Sequence, residues 1–220
     1  NQFLWGVITI LSQMFLGLGM AILLRSQAKF KIIYKLIFFF PNVIAVAVVA
    51  YVFNKIYDNN FGELNLFLES IRLSFLTHPW LGDPNTALYA LMIANIWQWT
   101  GFSFLLYHAG MTQINEELYE SARIDGANLF AIVKNIIIPL LKPTHIALLI
   151  LGVIGTLKTF DIIYLTTKGG PARSTEFLST YIFQKGILEF KASYASTMAL
   201  MIVVIALILT ILQVKGYNRK

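Results

Sequence analysis

The sequence predicts an all-α, polytopic membrane helix bundle, and three observations predict it. Residues AVILMFWYC make up 57% of the 220-residue chain and charged residues only 13%, where a soluble domain carries roughly 25% charge. Mean hydropathy is +0.69. The apolar residues gather in long runs, each near the ~20 residues that carry an α-helix across a ~30 Å hydrocarbon core. Such a chain exceeds what a soluble fold of 24.9 kDa encloses. Low charge with high hydropathy also excludes intrinsic disorder. A β-barrel would alternate in short segments. In hydrocarbon a long apolar run satisfies its own backbone only as a helix.

Five runs are expected to span. Residues 3–24 carry no charge; they lack a charged n-region and a small-residue cleavage site, so they read as a span rather than a signal peptide. Asn1 is not Met, and the chain is expected to lack an N-terminal helix of a longer protein. Residues 36–53 are uncharged and contain Pro41, which either kinks the span or begins it. Residues 87–109 are uncharged but polar in the middle, residues 145–166 contain Lys158 and Asp161, and residues 194–214 are uncharged. Residues 1–220 are taken as a single transmembrane domain. Trp5, Trp80, Trp97 and Trp99 suit interfacial belts, and Gly17 and Gly19 suit close helix approach.

Lys and Arg in the loops set the orientation. Arg25, Lys29, Lys31, Lys35, Arg123, Lys134, Lys142, Lys215, Arg219 and Lys220 fall on one side, ten against six on the other. The loop 110–144 and the C-terminus are therefore expected to be cytoplasmic. The net charge of +6 reads as membrane topology, with no nucleic-acid partner. The absence of Cys removes disulfides, thiolate metal sites and a cysteine nucleophile. His78, His108 and His145 are scattered without ligand spacing, so no metal site is expected.

The loop 110–144 is long for a helix connection. Asn115 can cap a helix whose first turns carry Glu116, Glu117 and Glu120. Asp125-Gly126 breaks it; Asp125 can cap a second helix, and Gly126 permits a conformation or close approach that a Cβ would block. The second helix runs to about Pro139. Two short helices with one turn between them make a rigid knob, suited to docking a partner and passing on its motion.

Glu120-Ser121-Ala122, three residues, Gly126, nine residues, then Ile136-Ile137-Ile138-Pro139 resembles the EAA loop of permease subunits of binding-protein-dependent ABC importers. Ser121 stands where Ala is usual, and Ile138 where Leu is usual. Gly62-Glu63-Leu64-Asn65, Trp80-Leu81-Gly82-Asp83-Pro84, Asn95-Ile96-Trp97 with Gly101-Phe102, and Thr167-Lys168-Gly169-Gly170-Pro171 are similar to the carbohydrate branch, MalF-like rather than MalG-like. The resemblance implies a prokaryotic cytoplasmic (inner) membrane protein, paired with a second, MalG-like permease and two ATPase subunits. An extracytoplasmic solute-binding protein would deliver a sugar or oligosaccharide. Glu120, Ala122, Asp125 and Gly126 would couple to the ATPases. The pattern G-x-x-x-x-G-K-[ST] is missing, so the chain is read as no enzyme and as binding no cofactor. ATP and Mg would be used by the partner ATPase.

Polar residues within spans are costly and mark pathways or helix-to-helix bonds. Asn95, Gln98, Trp99 and Phe102 in the third span and Thr156 and Thr159 in the fourth offer amides, hydroxyls and aromatic plates, the groups a sugar needs. The resemblance places solute contacts on these two spans. Lys158 and Asp161, three apart, can meet on one helical face, either as a self-neutralised pair or on the solute path. Thr156 and Thr159 can bond a sugar or their own i−4 carbonyls. Glycerol phosphate is a second cargo class, with Lys158 as its phosphate partner. The alternative function is an ion-coupled carrier or channel working through Lys158 and Asp161. A membrane-embedded enzyme is disfavoured, because no His/Asp/Glu cluster appears. Residues 61–76 are expected to form a short helix at the outer interface.

Overall fold

The computed structural model describes residues 1–27 and 31–218, and all regular elements among them are helical. In chain order these are α1 (Gln2–Gln27), α2 (Lys31–Val43), α3 (Val46–Ile56), α4 (Glu63–Ser70), α5 (Ala87–Thr112), α6 (Glu116–Ile124) and α7 (Leu129–Leu140). They continue with α8 (Lys142–Lys158), α9 (Asp161–Thr166), α10 (Leu178–Phe183, prolonged by a π-helical turn Gln184–Leu188) and α11 (Ala192–Asn218). Lys29, Arg219 and Lys220, used above for orientation, lie outside the described residues.

By length and composition three helical segments can cross a bilayer (Gln2–Arg25, Lys142–Thr166 and Ala192–Gln213), or four if α2 and α3 count as one bent span. The remaining expected span is α5, which has 26 residues, long enough at about 39 Å. Asn95, Gln98, Thr100 and Ser103 dilute its apolar run. It is nevertheless the central helix: α1 and α2 pack on it, and Gln98, Thr100 and Ser103 are buried. A helix enclosed by protein can carry polar side chains that a lipid-facing one cannot.

Two glycines set how closely the bundle closes on α5. A Cβ on Gly17 would lie 2.7 Å from the Phe104 amide nitrogen, so α1 meets α5 backbone to backbone. A Cβ on Gly101 would collide with the Phe38 carbonyl oxygen of α2. Gly19 has nothing within 4 Å and plays no such part.

The second and fourth expected spans are both broken. Pro41 lies inside α2, and the chain then turns by 90° before α3. The bend leaves helical geometry at Ala45 (ψ 136°), and the carbonyl of Ile44 accepts a hydrogen bond from Gln98 Nε2 at 3.0 Å. The fourth span stops at Lys158 and restarts at Asp161, with Thr159 extended (ψ 117°).

Apolar packing forms two groups. One gathers Ala21, Leu24, Phe104, Tyr107, Met111, Tyr119, Ile132 and Ile137 where α6 and α7 meet the bundle. The other gathers Trp5, Leu91, Ile162, Ile163 and Phe177 towards the opposite end. Trp5 is 1% exposed and packs edge-on against Phe177 at 5.3 Å, so it is a core residue and not an interfacial one. At that opposite end Asn65 is a buried hub. Its Oδ1 accepts from Trp80 Nε1 at 2.8 Å and its Nδ2 donates to the His78 carbonyl at 3.1 Å. Two motifs separate in sequence, Gly62–Asn65 and Trp80–Pro84, therefore meet there. Residues 61–76 do form a short helix, α4, followed by one 3-10 turn.

Candidate functional site

A cavity of about 430 Å³ opens between the two packed groups, walled by α1, α5, α8, α9 and the start of α3. Its volume falls within the range of small-molecule sites. Asn95, Gln98, Trp99, Phe102, Thr156, Lys158, Thr159 and Asp161 all line it. Their backbone settings explain the convergence. On α5, Asn95, Gln98, Trp99 and Phe102 recur at three- and four-residue spacing and share a face. Thr156, Lys158, Thr159 and Asp161 flank the break between α8 and α9.

Individual groups are used in ways that spacing did not reveal. Gln98 is 1% exposed; its amide nitrogen holds the bend carbonyl of Ile44, and its Oε1 is buried with no partner among the described residues. Asn95 Oδ1 accepts from Gln13 Nε2 at 3.0 Å. Trp99 stands 40% exposed, edge-on to Phe102 at 6.4 Å. Thr159 Oγ1 donates to its own i−4 carbonyl, that of Gly155, at 2.9 Å. Of the two alternatives for Lys158 and Asp161, the ion pair is not formed. The helix ends between them, so three-residue spacing no longer brings them together, and both are exposed. Among the described residues neither takes part in an ion pair.

The break frees carbonyls that need donors. Gln2 Nε2 donates to Thr156 O at 2.9 Å and Leu157 O at 3.3 Å, and Ser179 Oγ donates to Thr159 O. Gln2, Gln13 and Ser179 carry no motif. A freed carbonyl is invisible in sequence until the break is located, so these residues escaped the sequence reading.

The loop 110–144 folds as two short helices against one end of the bundle. Asn115 caps α6, accepting from the Glu117 amide at 3.2 Å. Asp125 does not cap α7. It terminates α6, and Asn128 caps α7 by accepting from Ala131 N at 2.8 Å. Asp125 stands one residue before the left-handed turn at Gly126 (φ +80°), too early in the chain to reach the first amides of α7. A Cβ on Gly126 would meet nothing within 4 Å, so conformation, and not crowding inside this chain, requires glycine there. Glu120 is exposed and Ala122 half-buried against the bundle. Ile124, Leu129 and Phe130 leave an apolar surface exposed beside Gly126.

The knob is held firmly. Arg25 of α1 pairs with Glu116 at 2.6 Å and lies over the Tyr119 ring at 3.3 Å. Tyr119 is 2% exposed, and burial pushes its phenol up. On the other side Tyr107 Oη lies 2.7 Å from His145 Nδ1, and His145 Nε2 lies 3.2 Å from the Ile138 carbonyl. A carbonyl only accepts, so Nε2 carries the proton and Nδ1 accepts from the tyrosine. This chain of bonds ties α5, α8 and α7 together. No group of three or more His, Cys, Asp or Glu able to hold a metal occurs among the described residues.

Several apolar helices bundled around a largely apolar cavity that carries a few polar side chains at a broken span, with two short helices packed on one end, make the arrangement of a multi-pass membrane permease. The comparisons agree. Residues 13–215 match the family described as binding-protein-dependent transport system inner membrane component, and the chain belongs to that family. It is 34% identical to the probable ABC transporter permease protein YurN of Bacillus subtilis, over 99% of this chain and 75% of that protein. It is 38% identical to the trehalose/maltose transport system permease protein MalF of Thermococcus litoralis, over 76% of this chain and 56% of that one. In fold it is similar to a chain of the bacterial alginate ABC transporter in complex with alginate pentasaccharide-bound periplasmic protein. The TM-score is 0.88 at 24% identity, covering 97% of this chain and 74% of that one. As a multi-pass permease subunit it supplies the passage and not the ATPase.

Proposed function

We propose that this permease forms half of the pathway for a sugar or oligosaccharide, imported at the expense of ATP hydrolysed by partner subunits. One observation carries the reading: amide, hydroxyl, charged and aromatic side chains from two spans converge on one cavity. Asn95 offers its amide to hydroxyl groups, Gln98 holds the bend behind it, and Trp99 with Phe102 offers plates for the C–H faces of a sugar ring. The trehalose/maltose permease among the relatives supports this cargo class. In this reading the loop 110–144 and the C-terminus are cytoplasmic, as the Lys and Arg balance favours. Two ATPase subunits, using ATP and Mg, seat on this chain's knob and on that of a second, MalG-like permease. Glu120, Ala122, Asp125 and Gly126 form this chain's part of that seat. The surface built around Asn65 and Trp80 faces an extracytoplasmic binding protein.

An ion-coupled carrier using Lys158 and Asp161 is not favoured, since the break separates the two groups. Lys158, without an anionic partner among the described residues, favours one second cargo, a phosphorylated polyol such as glycerol phosphate. The test is uptake into proteoliposomes holding both permeases, the ATPases and the binding protein. ATP-dependent uptake of a neutral sugar, with Trp99→Ala raising the half-saturating concentration about tenfold, supports the reading. Uptake without ATP overturns it; uptake restricted to glycerol phosphate moves the cargo to the second class.

A further inference from the structure

α1 is fastened at three heights. At one end Arg25 meets Glu116 at 2.6 Å and covers the buried ring of Tyr119 at 3.3 Å. Midway, Gln13 holds Asn95 in the cavity wall at 3.0 Å. At the other end Gln2 holds the Thr156 and Leu157 carbonyls where the fourth span breaks, and its Oε1 accepts from Leu178 N at 3.3 Å. Between these points Gly17 sets the helix backbone against that of α5. Gln2, Thr9 and Gln13 are seven and four residues apart and return to one face. α1 contains no proline, and its 26 residues make a rod of about 39 Å.

Apart from the Tyr107–His145–Ile138 bonds, the covalent route from knob to cavity is softer. Between α6 and the body of α8 lie the Gly126 turn, a π-helical turn at Val133–Ile137, Pro139 and a further turn at Leu141. Joints of this kind absorb movement. The guanidinium contact is short on both sides: one N–H meets the Glu116 carboxylate at 2.6 Å while the planar face rests on the buried Tyr119 ring at 3.3 Å.

We propose that α1 is the rod through which displacement of the α6–α7 knob reaches the cavity wall and the broken span, with Arg25 the positioning residue that clamps the knob to it. The inference rests on the reading that partner ATPases seat on the knob. It assigns a transmitting role to α1 and a distinct one to each of its three polar contacts.

The test uses the assembled transporter in proteoliposomes. The chain has no cysteine, so Arg25→Cys with Glu116→Cys introduces a thiol pair unique within it. With the thiols reduced, solute moved per ATP hydrolysed should fall about fivefold or more, while the ATPases remain bound. Bridging the thiols with a short bifunctional methanethiosulfonate should restore coupling, and a reductant should abolish it again. A role in folding alone would not switch reversibly. Wild-type coupling in the reduced pair, or a loss that bridging does not reverse, overturns the inference. Should the pair fail to assemble, Arg25→Lys decides: it keeps the charge and loses the planar face, so reduced coupling is expected and unchanged coupling overturns. If the ATPases fail to bind the unmodified knob, it is the seating reading that falls, and the binding measurement alone reveals this.

Discussion

Gly126 separates two physical roles that a single substitution would confuse. Its backbone is left-handed, at φ +80°, and the space where a Cβ would go is open to 4 Å. Within this chain, therefore, Gly126→Ala costs only conformational strain, about 1–2 kcal/mol. Asn tolerates the left-handed region better, so Gly126→Asn costs less inside the chain while projecting more atoms into the open space. If an ATPase fills that space, the order reverses in the assembled complex. Overfilling a packed contact costs about 1–3 kcal/mol, which lowers ATPase affinity or coupling by roughly 5–150-fold. The assay pairs ATPase capture at graded concentrations with solute transported per ATP. Asn should damage both more than Ala. If Ala is as harmful as Asn or more so, the glycine serves the turn alone and the seat lies elsewhere on the knob.

Gly17→Ala should destabilise the bundle by about 1–3 kcal/mol, because its Cβ would fall about 0.7 Å short of ordinary contact with the Phe104 backbone; a lowered unfolding temperature in detergent would show it, and an unchanged one would refute the close approach. Asn65→Ala should cost about 2–4 kcal/mol by leaving the Trp80 indole N–H and His78 backbone groups unpaired, and Asn65→Asp, which sets a buried carboxylate against the His78 carbonyl, should cost at least as much; tryptophan fluorescence during thermal unfolding reads both. The turn at residues 184–191 should loosen in acid. Hydrogen bonds from Lys185 and then Lys191 hold the Glu189 carboxyl below its ordinary range. A depressed folded value means the pairing stabilises above the unfolded value and is lost as pH falls through the folded one. Lys185, raised by its bond to Glu189, loses its share only as pH rises through its own folded value. Protection of this turn against hydrogen exchange, taken relative to the intrinsic rate at each pH, should therefore hold across neutral pH and fall as pH drops through the depressed Glu189 value.

Long apolar runs made the helix bundle legible, and the same runs hid its interruptions. A break needs only a few residues to leave helical geometry. Neither Ile44–Ala45 nor Thr159–Phe160 contains a residue that forces this by itself; Pro41 stands three residues before the first bend. What stabilises each break comes from far along the chain: Gln98 for the first, Gln2 and Ser179 for the second. The convergence of α5 with the fourth span could be read from polarity, because uncompensated polar groups in a span must face protein or water. Of the two readings open for Lys158 and Asp161, the ion pair needs an unbroken helix, which the break at Thr159 removes. The cap of α7 belongs to Asn128 and not to Asp125; both are capping residues, and only the length of the left-handed turn decides between them. The clamp at Arg25 joins residues whose sequence numbers differ by 91, and no local pattern announces it.

α5 is central to the fold and yet falls outside the helices apolar enough to cross a bilayer unaided. This has a consequence for biogenesis. Released alone into hydrocarbon, its Asn95 and Gln98 would weigh against insertion. Their partners, Gln13 on α1 and the Ile44 carbonyl between α2 and α3, are both synthesised earlier. α5 leaves the ribosome after the groups that pair with its polar face. Later elements add His145 for Tyr107 and the walls of the cavity. The order of translation thus matches the order in which the polar groups of α5 find relief, and a helix too polar to enter first is placed where it never has to.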